Sequence, residues 1–228
     1  MSDSYAGPME HGPVRTFHAR RGRRSQLTTS RLETLLPRYA VPARLDGPPA
    51  GFDVLVVEIG CDHGAAAVAY GAAYPAHFLV ALDVHPPGVA RMLAAAADAG
   101  VTNLGAELGD AVKFLRERVE PGSVNAVHLF FPDPWLKAKH HRRRFVSSAT
   151  LDLLASRLAP EGHVLVATDQ EAYAAHVESV VSRHPEWRCV RTPRPEWRPM
   201  AGFEAKGVQA GRPIVDLRLE RATRIELA

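Results

Sequence analysis

The sequence predicts an α/β protein, built on a mostly parallel seven-stranded sheet with helices on both faces. Three observations carry this. Short apolar runs of strand length alternate with longer segments whose apolar residues recur at helical spacing. The short runs are apolar throughout rather than at every second residue, as in strands buried on both faces. Acids then recur at the ends of these runs (Glu58, Asp83, Asp110, Asp133, Asp169), where open α/β sheets bind ligands.

Taken in order, residues 1 to about 14 are polar, Gly/Pro-containing and aperiodic, so disorder is expected. Residues 15 to 50 form a basic arm, with a short helix over Ser30–Leu36 that follows a Ser cap and ends near Pro37. Strands are expected over Leu55–Gly60, Phe78–Val84, Leu104–Leu108, Ala126–Phe131 and His163–Thr168. Helices are expected over Ala65–Tyr74, Pro87–Ala99, Ala111–Val119, Phe145–Leu158 and Glu171–Arg183. A closing pair, Arg188–Thr192 and Ile214–Glu220, completes the sheet in antiparallel sense, after an extended Pro/Arg-rich loop from Thr192 to Pro199. The division is thus residues 1–50, a disordered N-terminus and basic arm, and residues 51–228, the α/β domain. No internal repeat is present.

At 228 residues and 46% hydrophobic content the chain can bury a full core. Net charge is only +3, but the arginines cluster: from Arg15 to Arg44 there are eight against one acid, Glu33. A second cluster runs from Lys137 to Arg144. Two such clusters predict a phosphate footprint better than net charge does. Cys61 and Cys189 do not make a disulfide framework, and no Cys/His spacing suits zinc, so no metal is expected. No signal peptide or apolar run long enough to span a bilayer is present, so a soluble, cytoplasmic protein with no membrane partner is expected.

The most informative stretch is Phe131-Pro132-Asp133-Pro134-Trp135, followed at once by Lys137-Ala138-Lys139-His140-His141-Arg142-Arg143-Arg144. The prolines fix φ on either side of Asp133 and hold its carboxylate at a strand end. Trp135 offers a flat face to a base or a guanidinium. Upstream, Glu58-Ile59-Gly60-Cys61-Asp62-His63-Gly64 ends one strand and opens a helix; Gly60 lets backbone approach a ligand. Asp83 lies where an acid chelates ribose hydroxyls, and Asp110 where one accepts from an adenine amino group. The loop is not Gly-x-Gly-x-x-Gly, and a pyrophosphate sits badly among carboxylates. S-adenosylmethionine, with no phosphate and a positive sulfonium, suits an acid-lined crevice better.

These blocks resemble bacterial tRNA (guanine-N7-)-methyltransferases. Arg15-Thr16-Phe17 with Arg20-Arg21-Gly22-Arg23, the Glu58–Gly64 loop, the proline-flanked Asp133, and Phe203-Glu204-Ala205-Lys206-Gly207 with Asp216-Leu217 carry the likeness, over about residues 15 to 221. It implies a Rossmann-like S-adenosylmethionine-dependent methyltransferase fold and methylation of guanine N7 in the tRNA variable loop. It implies that Glu58, Asp83, Asp110 and Asp133 contact S-adenosylmethionine beside the Gly60 loop, and that Lys137, Asp169 and Glu204 contact tRNA. Asp133 is the expected catalytic residue, and Arg142 and Arg143 belong to the phosphate-binding strip.

Guanine N7 has an in-plane lone pair and attacks without prior deprotonation, so alignment and electrostatics suffice. Asp169 is suited to accept from the Watson–Crick edge of a splayed-out guanine, or to cap the helix at Glu171. The chain departs from the family at Asp62, where a Gly is usual, and at Ala201-Gly202, where Thr-Lys is usual. Those departures keep open a non-catalytic or altered-specificity RNA-binding relative, and a nucleotide-dependent oxidoreductase is the remaining alternative. Monomer and homodimer are both open.

Overall fold

The computed structural model describes residues 16–17 and 24–222. Its seven strands are β1 (Val54–Ile59), β2 (His77–Asp83), β3 (Leu104–Leu108), β4 (Val124–Phe130), β5 (Leu158–Thr168), β6 (Trp187–Arg191) and β7 (Val215–Arg221). They form one sheet in the order β3-β2-β1-β4-β5-β7-β6. The first five run parallel to one another, while β7 is antiparallel to both β5 and β6. The register of β1 with β4 sets Glu58 directly opposite His128.

Among the described residues seven α-helices cover it: α1 (Gln26–Leu35), α2 (Ala65–Ala73), α3 (Pro86–Asp98), α4 (Ala111–Arg118), α5 (Ser148–Arg157), α6 (Glu171–Val181) and α7 (Gly202–Gln209). Alternation along each strand divides the core in two. Leu55, Val57 and Ile59 of β1 join Val127 and Leu129 of β4 against α4, α5 and α6. Val56, Leu79 and Ala81 point the other way, against α1, α2 and α3. Every central strand therefore buries both faces, which is why its sequence is apolar throughout.

Local chemistry sets several boundaries. Helix α1 starts earlier than expected: Ser25 rather than Ser30 is the cap, its Oγ accepting from the Thr28 N–H at 3.2 Å. Helix α5 starts later than expected, at a capping box of Ser147 and Thr150, because Phe145 and Val146 are buried ahead of it. Helix α7 was not expected at all. Gly202 and Gly207 dilute its pattern, and its buried residue Glu204 reads as a surface acid.

The stretch before β1 is integrated rather than appended. Leu32 and Tyr39 pack in the α1–α3 core, Leu45 is 1% exposed in the other, and Leu45 bridges to Val119. Arg118 donates to the Val41, Pro42 and Ala43 carbonyls and to Glu107. Packing is therefore continuous across the boundary drawn at residue 50. The expected disorder of residues 1 to 14 lies outside the described residues, as does Arg15 to Arg23 apart from Thr16 and Phe17. Among the described residues no helix is long and apolar enough to cross a membrane.

Candidate active site

The site lies at the carboxyl ends of β1, β2 and β4. After β1 the chain reverses through three left-handed residues, Gly60 (φ 78°), Asp62 (φ 46°) and Gly64 (φ 79°). Gly64 is obligatory for a second reason: a Cβ there would lie 2.1 Å from Met92 of α3. Asp62 tolerates the geometry because a short polar side chain visits this region more readily than most. Its N–H donates to Asp83 Oδ2 at 2.9 Å, and the His85 N–H donates to Asp83 Oδ1 at 2.8 Å. Both oxygens of Asp83 are thus fixed by backbone, and each keeps a further lone pair.

These groups line a crevice of about 220 Å³. Asp62, Asp83 and Asp133 supply its acids, and Phe130, Phe131 and Phe203 its aromatic walls; Thr16 and Phe17 of the arm also line it. No lysine or arginine is among its described lining residues. That donor set fits a cation with ribose hydroxyls and rejects a pyrophosphate, so the crevice suits S-adenosylmethionine.

Asp133 is exposed at the mouth, between Pro132 and Pro134. Phe131 (φ 51°) and Trp135 (φ 45°) bracket it in left-handed conformations, strained for bulky residues. Trp135 is buried, with the Arg143 guanidinium carbon 5.0 Å above its ring, so of the two partners open to it the structure supplies the guanidinium.

Other expected site residues stand differently. Glu58, expected at the cofactor, is buried on the α1–α3 face and does not line the crevice. Its Oε2 is 3.7 Å from His128 Nδ1, and neither atom has a hydrogen bond. Asp110, expected at an adenine, caps α4: Oδ1 accepts from the Val112 and Lys113 N–H groups, and only its neighbours Gly109 and Ala111 line the crevice. Asp169 does not cap α6, whose cap position is Gln170. Its Oδ2 accepts from Arg212 Nε at 2.8 Å, and Gly207 of α7 leaves it room: a Cβ there would lie 2.8 Å from Asp169 Cβ.

Glu204, expected to contact tRNA, is 1% exposed and paired with Arg194 and Arg198. Lys137 and Arg142 are exposed around a 3-10 turn, Ala138–Arg143. Arg144, grouped with them by sequence, is 6% exposed. Its Nε donates to the Pro134 carbonyl at 3.0 Å and its guanidinium lies 5.8 Å from the Tyr173 ring; burial pushes its pKa down. Sequence reasoning missed Phe203 as a wall and Arg198 as a hub. The one signal for Arg198 was its place in a Pro-rich stretch, which read as loop.

A sheet of this order, with an acid-lined crevice at the carboxyl ends of its first strands, defines a Rossmann-like S-adenosylmethionine-dependent methyltransferase. Residues 53–217 match the family described as "Putative methyltransferase". The chain is 36% identical to the tRNA (guanine-N(7)-)-methyltransferase of Nitrosospira multiformis, over 91% of this chain and 94% of that one. It is 37% identical to the enzyme of that name from Nitrosomonas eutropha, over 93% and 98%. Among solved structures the 16S rRNA methyltransferase KamB shares the fold, with a TM-score of 0.55 at 15% identity over 76% of this chain and 90% of that one. The chain belongs to the family of tRNA (guanine-N7-)-methyltransferases.

Proposed function

We propose that this chain methylates guanine N7 in tRNA from S-adenosylmethionine, at the crevice between Asp83 and Asp133. The observation that carries the site is the pairing of a backbone-fixed acid, Asp83, with a proline-fixed one, Asp133, across an aromatic-walled crevice lined by no described lysine or arginine. S-adenosylmethionine supplies an electrophilic methyl on a cationic sulfur. Asp83 accepts from its ribose hydroxyls, and the Gly60–Gly64 turn brings backbone close to its amino-acid end.

Asp133 faces the acceptor purine. Positive charge arrives on that ring as N7 is alkylated, and a carboxylate held in place stabilises it without taking a proton. Asp169 keeps an oxygen outside its Arg212 pair to accept from guanine N1–H or N2–H. Lys137, Arg142 and Arg143 lie along the strip beyond the loop and meet tRNA phosphates, as does the basic segment before Ser25. Glu204 acts from behind, through Arg194 and Arg198. The finer reading is a target in the variable loop and a cytoplasmic location.

The test is nucleoside mass spectrometry of tRNA after incubation with the protein and S-adenosylmethionine. New N7-methylguanosine is the expected product. Its absence, while S-adenosylmethionine binds by calorimetry, overturns the reading.

A further inference from the structure

Behind the crevice lies a buried charge network that methyl transfer does not obviously need. Arg198 is 2% exposed, in the loop between β6 and α7. Its Nε donates to Glu204 Oε2 at 3.0 Å and its Nη2 to Glu204 Oε1 at 3.1 Å. Its Nη1 and Nη2 donate to the two Asp216 oxygens at 2.6 and 3.0 Å. Arg194 completes the set through Glu204 and the Arg198 carbonyl, so two cations face two anions. Burial pushes the Arg198 pKa down, and the pairs with Asp216 and Glu204 more than reverse this, holding it above its ordinary value.

A buried network of this kind yields little net stability, because desolvation offsets the attraction. Its product is geometry. The Arg198 guanidinium carbon sits 4.9 Å from the Phe130 ring and 5.8 Å from the Phe131 ring. Phe131 holds a left-handed backbone directly before Pro132-Asp133, a costly conformation that persists only where surrounding contacts over-determine it. The partner Glu204 lies on α7 next to Phe203, which lines the crevice from another element. Asp216 ties both to β7, and so to the sheet.

We infer that Arg198 is a positioning residue for methyl transfer: one planar guanidinium fixes Phe131 and its Asp133 loop relative to α7 and Phe203. This rests on the proposed site. Lysine cannot replace it, since a point charge can neither fork to two carboxylates nor stack on two rings.

The test is a double-mutant cycle of Arg198→Lys and Phe131→Leu. Single-turnover methyl transfer is measured alongside thermal melts and calorimetric S-adenosylmethionine titrations. Each single variant is expected to lose about 30- to 100-fold in rate at saturating substrates, with the tRNA KM moved less than about threefold. The double variant should lose no more than the larger single loss. Multiplicative losses, or a normal rate in folded Arg198→Lys, overturn the inference. A merely structural Arg198 would lower the melting temperature and leave the rate per folded molecule intact. If Arg198→Lys does not fold, Asp216→Asn loosens the same guanidinium, and a normal rate there overturns the inference equally. Asp133→Asn is the control. Activity surviving in it sinks the reading of Asp133, while the cycle still decides the role of Arg198.

Discussion

Asp133 is exposed and flanked by prolines, so its replacement removes a charge without opening a cavity. Asp133→Asn should therefore keep the melting temperature and lower single-turnover methyl transfer about 100- to 1,000-fold, the scale of losing one preorganised electrostatic contact. A near-normal rate in the folded variant would remove it from the mechanism. Asp83 has two tasks, holding the Asp62 and His85 N–H groups and presenting lone pairs to the crevice. Asp83→Ala should weaken S-adenosylmethionine binding by about 1.5–3 kcal/mol, roughly 10- to 100-fold in Kd. Calorimetry giving an unchanged Kd would mean the crevice is misassigned. Both line the crevice, at the strand ends where the sequence places them, because a strand end followed by a turn residue specifies where a side chain emerges. The sequence did not tell that Asp110 is occupied by a helix terminus, which depends on where α4 begins.

The 3-10 turn after Trp135 divides a run of identical charges. Arg142 is exposed, whereas Arg144 is buried against Tyr173 and donates to the Pro134 carbonyl. Arg142→Gln should lower the log–log salt slope of tRNA binding by about 0.7–0.9 and leave the melt unchanged. Arg144→Gln should lower the melting temperature and leave the slope in place. Filter binding over a salt series, beside melts of both variants, checks this; equal slopes for both would refute the division. On β5, His163 is held neutral by burial, then by the nearby Arg218 and His128, its pKa lowered to about 4, with Glu220 pulling weakly the other way. The unfolded chain protonates this residue near its ordinary value while the folded one does not. Stability from His163 is thus present at neutral pH and lost as pH falls from about 6.5 toward 4. His163→Gln should flatten the fall in urea midpoint between neutral pH and pH 5; an unchanged fall would clear His163 of the effect. His77 and His176, also lowered by burial, leave a residual slope of the same sign.

Across the whole molecule, the segment ahead of β1 belongs to the core. Removing residues 1–45 takes out Leu32, Tyr39 and Leu45, buried side chains worth about 1.5–3 kcal/mol each. That truncation should unfold the protein or lower its melting temperature steeply, whereas removing residues 1–23 spares all three. Equal melts for the two truncations would show that the first helix only rests on the surface.

The strand and helix alternation was legible because apolar runs buried on two faces leave no alternation to misread. Of the acids that follow those runs, Asp83 and Asp133 line the crevice, whereas Glu58 is buried beside His128 and Asp110 caps a helix. What tertiary structure alone decided is which charges are spent. Glu204, Asp169 and Arg144 read in sequence as groups that face a ligand, yet each meets a protein partner: Arg194 and Arg198 in the β6–α7 loop, Arg212 past α7, and the Pro134 carbonyl. Sequence fixes a side chain's chemistry and the end of the element that carries it. Whether that charge faces solvent, a ligand or a buried partner depends on distances between elements, and only the packed sheet with its loops sets those.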